Sequence, residues 1–259
     1  MKNFLKKVLP KKLVNMIKNR NIDRDRVLVL PKDELSYAND LLYTYHNSDF
    51  IREKKFSEAY ALVKQLGGRL LDNYDIQWRI HVVCWAASHA AKLEGDFVDC
   101  GVYSGFSPRA ICHFVDFQKL NKTYYLMDTF AGMDNRYSSS YEMERNKKLG
   151  YAEVDLFAQV KETFKNFKTK IIKGPIPDTL PQADCEKISF LSIDMNSEIP
   201  EVAALEYFWP KLVSGGIIVL DDYGYPGCLN QKLAHDKFAA SKGVMVLSLP
   251  TCQGIIIKP

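Results

Sequence analysis

Apolar residues along this chain fall into short blocks of two kinds. Residues 97–100, 123–127, 170–172, 188–193, 217–220, 244–249 and 254–258 are compact apolar runs of strand length. Residues 56–66 instead repeat Phe56, Ala59, Tyr60, Val63 and Leu66 at intervals of three and four, and Gly67-Gly68 stops the repeat. Helical patterns recur over 75–93, 155–166, 200–212 and 229–242, with Pro200 marking a helix entry. Strands alternating with helices predict an α/β fold: a doubly wound sheet of about seven strands that ends in a strand hairpin around residues 251–254. Residues 134–150 are polar and tyrosine-rich, and read as a surface excursion closing over a site.

The pattern centres on residues 95–108, GDFVDCGVYSGFSP. Phe97, Val98 and Cys100 form a buried strand around Asp99, Gly101 turns the chain, and a helix follows with Ser107 expected as N-cap and Pro108 at its first position. Such a strand–turn–helix forms the ligand crevice of doubly wound domains. The spacing is D-x-G-x-x-x-G and lacks the middle glycine of the nicotinamide fingerprint. An acid before the turn repels a pyrophosphate but suits a ligand with ammonium and sulfonium charges, such as S-adenosylmethionine (SAM). The competing reading is a purely conformational glycine turn. Asp128 closes the second strand 23 residues after Gly105, where a ribose-binding acid is expected, and residues 129–132 (Thr129, Phe130, then Ala-Gly) are placed to wrap a nucleoside. The Gly174-Pro175 turn after the third strand is a position for an adenine ring, or simply a turn.

Three further acids end apolar strands at one edge: Asp194 after the fourth strand, and Asp221 and Asp222 after the fifth. Adjacent strands lie about 4.8 Å apart, so these carboxylates are expected to converge. Like charges there need compensation, and an all-oxygen set favours Mg²⁺. The alternative is that one acid pairs with Lys or Arg while the others face water.

Composition adds an asymmetry. The 259 residues are 47 % hydrophobic and 25 % charged, enough for a large core. Of the net +4, residues 1–26 carry +7 (nine Lys/Arg against Asp23 and Asp25), leaving the remaining 233 residues at −3. That body offers no nucleic-acid footprint. The basic segment reads as an N-terminal arm packing on a subunit neighbour or as peripheral membrane contact; a homo-oligomer and a cytoplasmic, membrane-peripheral setting are the expectations. Residues 1–68 are expected as an N-terminal extension before a catalytic domain at 69–259. The six scattered cysteines suit a reducing compartment.

With these residues assembled, the chain resembles the SAM-dependent O-methyltransferases of the macrocin and mycinamicin type, the TylF family. The stretches that carry the resemblance are GDFVDCGVYSG, LMDTFAGM, GPIPDTLP, LSIDMN and GGIIVLDDYG, over about residues 70–259. It implies a class I methyltransferase fold, with Asp99, Gly101, Val102, Tyr103, Ser104, Gly105, Ser107, Asp128, Thr129, Phe130, Gly174 and Asp194 around SAM. It also implies Mg²⁺ on Asp194, Asp221 and Asp222, and methylation of a hydroxyl on a sugar or other small-molecule or glycan acceptor. Sugar methyltransferases of this family carry a second Asp, proposed as a general base, where this chain has Asn196. An amide takes no proton at neutral pH. The metal alone, Glu198, His235 or Tyr223 are then the candidates for acidifying the acceptor. The rival expectation is a SAM-binding scaffold without turnover.

Overall fold

The computed structural model describes residues 35–68, 71–72, 74–148 and 155–259. The described residues divide into two compact units, residues 35–38 with 43–47 and residues 39–42 with those from 48 onward. In the first, Ser36 N–H donates to Thr44 C=O. Two short strands, β1 (Tyr37–Asn39) and β2 (Leu42–Thr44), form a hairpin over the aromatic-rich stretch. The basic segment 1–26 and the extended stretch expected at 27–30 lie outside the described residues.

The second unit holds a seven-stranded sheet. Its strands are β3 (Asp96–Cys100), β4 (Tyr124–Asp128), β5 (Thr169–Lys173), β6 (Ile188–Ile193), β7 (Leu212–Leu220), β8 (Leu247–Ser248) and β9 (Gly254–Ile257). The order is β5-β4-β3-β6-β7-β9-β8, parallel except at β9, which runs antiparallel to β7 and β8. Parallel strands buried on both faces are mostly apolar, and all six residues of β6, four of them apolar, are buried. Alternation sorts the side chains into two cores. Phe97, Tyr124, Leu126, Phe190, Ile217 and Val219 point into one, and Val98, Cys100, Met127, Leu191, Ile193, Ile218 and Leu220 into the other.

Helices α1 (Lys54–Gly67), α2 (Gln77–Ala90) and α3 (Phe106–Phe114) cover the first face. Ala86, Ala87 and Ala90 are fully buried, which lets α2 approach closely. Helix α1 therefore belongs with the sheet, although its residues fall in the segment expected as an extension. The remaining helices are α4 (Ser140–Lys148), α5 (Phe157–Phe164), α6 (Glu198–Phe208) and α7 (Leu229–Ser241). Phe208 and Phe238 carry α6 and α7 onto the second face.

Several boundaries differ from the sequence reading for local reasons. Helix α3 starts at Phe106, with Gly105 as left-handed N-cap (φ +83°), so Ser107 is not the cap and Pro108 sits third. Proline is tolerated there because first-turn N–H groups have no intrahelical partner. Helix α6 begins at Glu198, two residues before Pro200. The excursion at 134–150 contains α4, and only Leu247–Ser248 of the expected strand 244–249 pairs. Among the described residues no helix is long and apolar enough to cross a membrane.

Candidate active site

The sheet changes direction at β3: the chain leaves it through α3 toward β4, and later places β6 on its other side. Ligand crevices form outside the carboxyl ends of strands at such a point. Gly101 makes the junction. Its φ is +97°, and a Cβ built on it would stand 1.9 Å from the Asp194 carbonyl oxygen. The backbones meet there because Asp194 N–H donates to Cys100 C=O (2.8 Å).

Two adjoining cavities open at this junction. The first, of about 130 Å³, is lined by the loop at Gly101–Tyr103, by Asp128, Thr129 and Phe130, by Gly174 and by Asp194–Asn196. The second, of about 310 Å³, is lined by Arg79, Asp99, Arg145, Asp221, Asp222 and Tyr225 among others. Gly101, Phe106, Ser107, Asp194 and Asn196 line both. Ser104 and Gly105, expected around SAM, line neither. The Ser104 side chain is buried and its hydroxyl has no hydrogen-bond partner among the described residues, while Gly105, the N-cap of α3, packs against Phe164.

Asp128 organises the first cavity. Its Oδ2 accepts the N–H groups of Val102 and Tyr103, each at 2.7 Å, and its Oδ1 accepts that of Phe130 at 2.6 Å. Thr129 Oγ1 also lies 3.3 Å from Oδ1, but its one proton is shared with Gly132 C=O; when it points there, roughly one of the carboxylate's four acceptor sites is left for a ligand hydroxyl. Asp99 lies behind the junction, 1 % exposed, with Tyr124 Oη at 3.5 Å. Burial pushes its pKa up to about 8, Asp128 adds to the rise, and a hydrogen bond with Ser192 opposes it.

In the second cavity, acids gather around Arg79. Arg79 Nη2, from α2, donates to Asp221 Oδ2 and to Asp222 Oδ1 (3.0 Å). Its Nε lies 3.9 Å from Asp40 Oδ2. Burial raises Asp222 to about 6, with Asp221 adding and Arg79 opposing. Burial and then the charges of Asp221 and Asp222 push Asp194 well above the usual range. Sequence reasoning missed Arg79, which lies 142 residues before Asp221 and carries no motif of its own.

These acids do not fit a metal as they stand. Among the described residues, no three His, Cys, Asp or Glu side chains converge as a ligand set. Asp221 Oδ1 accepts from Gln253 Nε2 (2.9 Å), and its Oδ2 is bonded to Arg79. In place of the expected Mg²⁺ set of Asp194, Asp221 and Asp222, Asp221 and Asp222 both pair with Arg79; the competing reading foresaw such a cation but for one acid only, with the others facing water.

His235 is not at the site. It is 2 % exposed, lines neither cavity, and its Nε2 lies 3.0 Å from Glu201 Oε2 without hydrogen-bond alignment. Tyr223 donates to Asp236 Oδ1 (2.5 Å) and accepts from Lys232 (3.1 Å), and Glu198 opens α6, its N–H donating to Glu142 Oε1 (2.9 Å); neither residue lines either cavity. Asn196 does line both, in a left-handed turn (φ +59°) that asparagine tolerates. That turn is clamped from two sides. Met195 N–H donates to Glu201 Oε1 (3.1 Å), and Arg145 Nη2 donates to Asn196 C=O (2.8 Å) and Gln231 Oε1 (3.0 Å).

Arg145 comes from α4, whose start is fixed by Glu142. Its Oε2 accepts from Ser139 N–H (2.7 Å) and Ser139 Oγ (2.8 Å), and its Oε1 accepts the Glu198 N–H (2.9 Å) that begins α6. Burial opposes charge on Glu142, but these bonds prevail and hold its carboxyl below the usual range. Ser139-x-x-Glu142 is a capping box, a signal that was present in the sequence for α4.

Strand order, the junction at Gly101 and crevices at the strand ends define a class I methyltransferase fold. The solved O-methyltransferase NovP superposes with a TM-score of 0.64 at 18 % identity, covering 79 % of this chain and 99 % of that one. The calicheamicin methyltransferase CalS11 does so at 0.52 and 16 %, covering 82 % and 94 %. The chain belongs to the macrocin-O-methyltransferase (TylF) family, whose model matches residues 79–246. Two relatives are a tetracenomycin-C rhamnosyl 4'-O-methyltransferase from Streptomyces olivaceus (27 % identical, 66 % of this chain) and the mycinamicin III 3''-O-methyltransferase from Micromonospora griseorubida (28 %, 52 % of this chain). The matches span 66 % and 58 % of those relatives' own lengths.

Proposed function

We propose that this chain transfers the methyl group of SAM to a hydroxyl oxygen of a sugar or glycosylated small molecule. The observation that carries the reading is the pair of cavities joined at Gly101 and Asp194: one beside a loop braced for a nucleoside, the other acidic and roomier. SAM suits the first because Asp128 turns a carboxylate toward a ribose hydroxyl, and because Asp194, which lines the same cavity, faces the ammonium and sulfonium groups. When bound, SAM supplies a methyl already activated on sulfur. The hydroxylated acceptor class comes from the relatives, which act on glycosylated natural products by name.

The chain's own residues then have three tasks. The Gly101–Tyr103 loop and Phe130 hold the nucleoside, and Asn196 and Arg79 orient the acceptor with their N–H groups. Asp222, which lines the acceptor cavity, takes the single hydroxyl proton on its carboxylate as the oxygen gains the methyl and S-adenosylhomocysteine departs; Glu198, His235 and Tyr223 are off the walls of both cavities. Holding two reactants in line supplies much of such a rate enhancement. Metal assistance, expected at the same acids, is left out of this scheme because Arg79 engages two of them. Calorimetric titration with S-adenosylhomocysteine (SAH) tests the reading: binding in the micromolar range is expected. A chain that binds no SAH does not perform this reaction.

A further inference from the structure

The acids at the ends of β6 and β7 are compensated from within. We propose that Arg79 is the resident cation of the acceptor site, taking the place between Asp221 and Asp222 that a divalent ion would hold, so that this chain binds no divalent cation there. The inference rests on the reading of the second cavity as the acceptor site.

Geometry carries it. A Mg²⁺ ion needs carboxylate oxygens at about 2.0–2.1 Å in octahedral array. Nη2 of Arg79 occupies the shared space between Asp221 Oδ2 and Asp222 Oδ1, and also lies 3.3 Å from Asp221 C=O. Asp221 Oδ1 is turned to Gln253, whose Nε2 also lies 3.4 Å from Arg79 C=O. Thr251 Oγ1 holds the other end of that amide (2.9 Å to Gln253 Oε1), so the carboxylate cannot swing without breaking a buried chain of bonds.

The cation is held equally firmly. The Arg79 side chain is 13 % exposed, and Asp40, fixed by the Tyr74 hydroxyl, stands behind its Nε. A guanidinium stays charged at every working pH and fits carboxylates with a planar fork, so it is a permanent counter-ion rather than a titrating one. Displacing it would leave that charge nearly buried, with Asp40 as its nearest remaining partner. Asn196 is consistent with this: it removes one carboxylate from the wall shared with Arg79, lowering the charge that the resident cation faces. Nη1 makes no hydrogen bond among the described residues and remains a charged donor for an acceptor oxygen.

Manganese is the probe, because its free ion gives an electron paramagnetic resonance signal that binding quenches. Full-length wild-type chain at 100 µM is expected to leave that signal unchanged. Arg79→Met keeps the stem and removes the charge; it is expected to take up one Mn²⁺ per chain, at least tenfold tighter than wild type, and to lose it again with Asp222→Asn. Where the methionine variant does not fold, Arg79→Gln serves in the same role. A wild-type chain that binds one Mn²⁺ lost in Asp222→Asn overturns the inference. So does a folded Arg79 variant as metal-free as wild type. SAH titration of the same preparations keeps the two questions apart, since lost SAH binding counts against the proposed activity and says nothing of Arg79.

Discussion

Gly101 concentrates more constraint than any other residue of the site. Both its left-handed backbone and the 1.9 Å that a Cβ would leave to Asp194 O exclude a side chain. Gly101→Ala is expected to cost roughly 3 kcal/mol and to weaken SAH binding, read by urea unfolding and calorimetry. Asp99 makes a different prediction. Its folded pKa of about 8 exceeds the roughly 3.9 of an unfolded Asp, so the folded state holds the proton more tightly. The stability this provides is complete below about pH 4 and is lost as pH rises through about 8, at up to about 1.4 kcal/mol per pH unit. Asp99→Asn should flatten that loss. Melting curves at pH 5 and pH 8 with equal differences for wild type and variant would count against it.

Glu142 shows how elements share one side chain. It closes a capping box at the start of α4 and also accepts the N–H that opens α6, so the two helices bearing Arg145 and Glu201 are set by the same carboxylate. Glu142→Ala is expected to destabilise this corner by about 1–2 kcal/mol. Hydrogen exchange should accelerate over residues 139–148 and at Glu198 while β3 to β7 stay protected. The pairing of Glu201 with His235 beneath the Asn196 turn belongs to the same scale. Glu201 Oε1 also accepts from Gln231 Nε2 (2.9 Å) and Met195 N–H (3.1 Å), which ties α6 to α7, and Glu201→Leu, which leaves both donors without that partner, is expected to destabilise by about 2–4 kcal/mol in urea titration.

For the whole molecule, the site is a seam between the two sides of the sheet. Its walls come from both neighbours of β3 and from helices more than a hundred residues apart. A ligand filling that seam binds only the folded chain. SAH at a hundred times its Kd should therefore add about 2.7 kcal/mol to stability, read as a raised Tm that saturates with ligand. A Tm indifferent to SAH would mean that the seam is not its site.

The sequence by itself determined most of the sheet. Strands buried on both faces need mostly apolar runs, so β3, β4, β6, β7 and β9 were legible from residue type even with Asp99 inside β3 and two serines inside β6. The acids at the strand ends and the Gly101–Gly105 turn were legible too, because both depend on neighbours in the chain. Helix α4 was signalled by Ser139 and Glu142 but obscured by a surface too polar to show an apolar stripe. Tertiary structure alone decided the charge partners. Nothing near Asp221 and Asp222 announces that Arg79 will lie between them, nor near Asn196 that Arg145 will hold its carbonyl. Likewise His235 looked available for chemistry until packing set it beside Glu201. Local pattern reports which side chains must be buried; which charge meets which across the fold depends on how the buried faces are brought together.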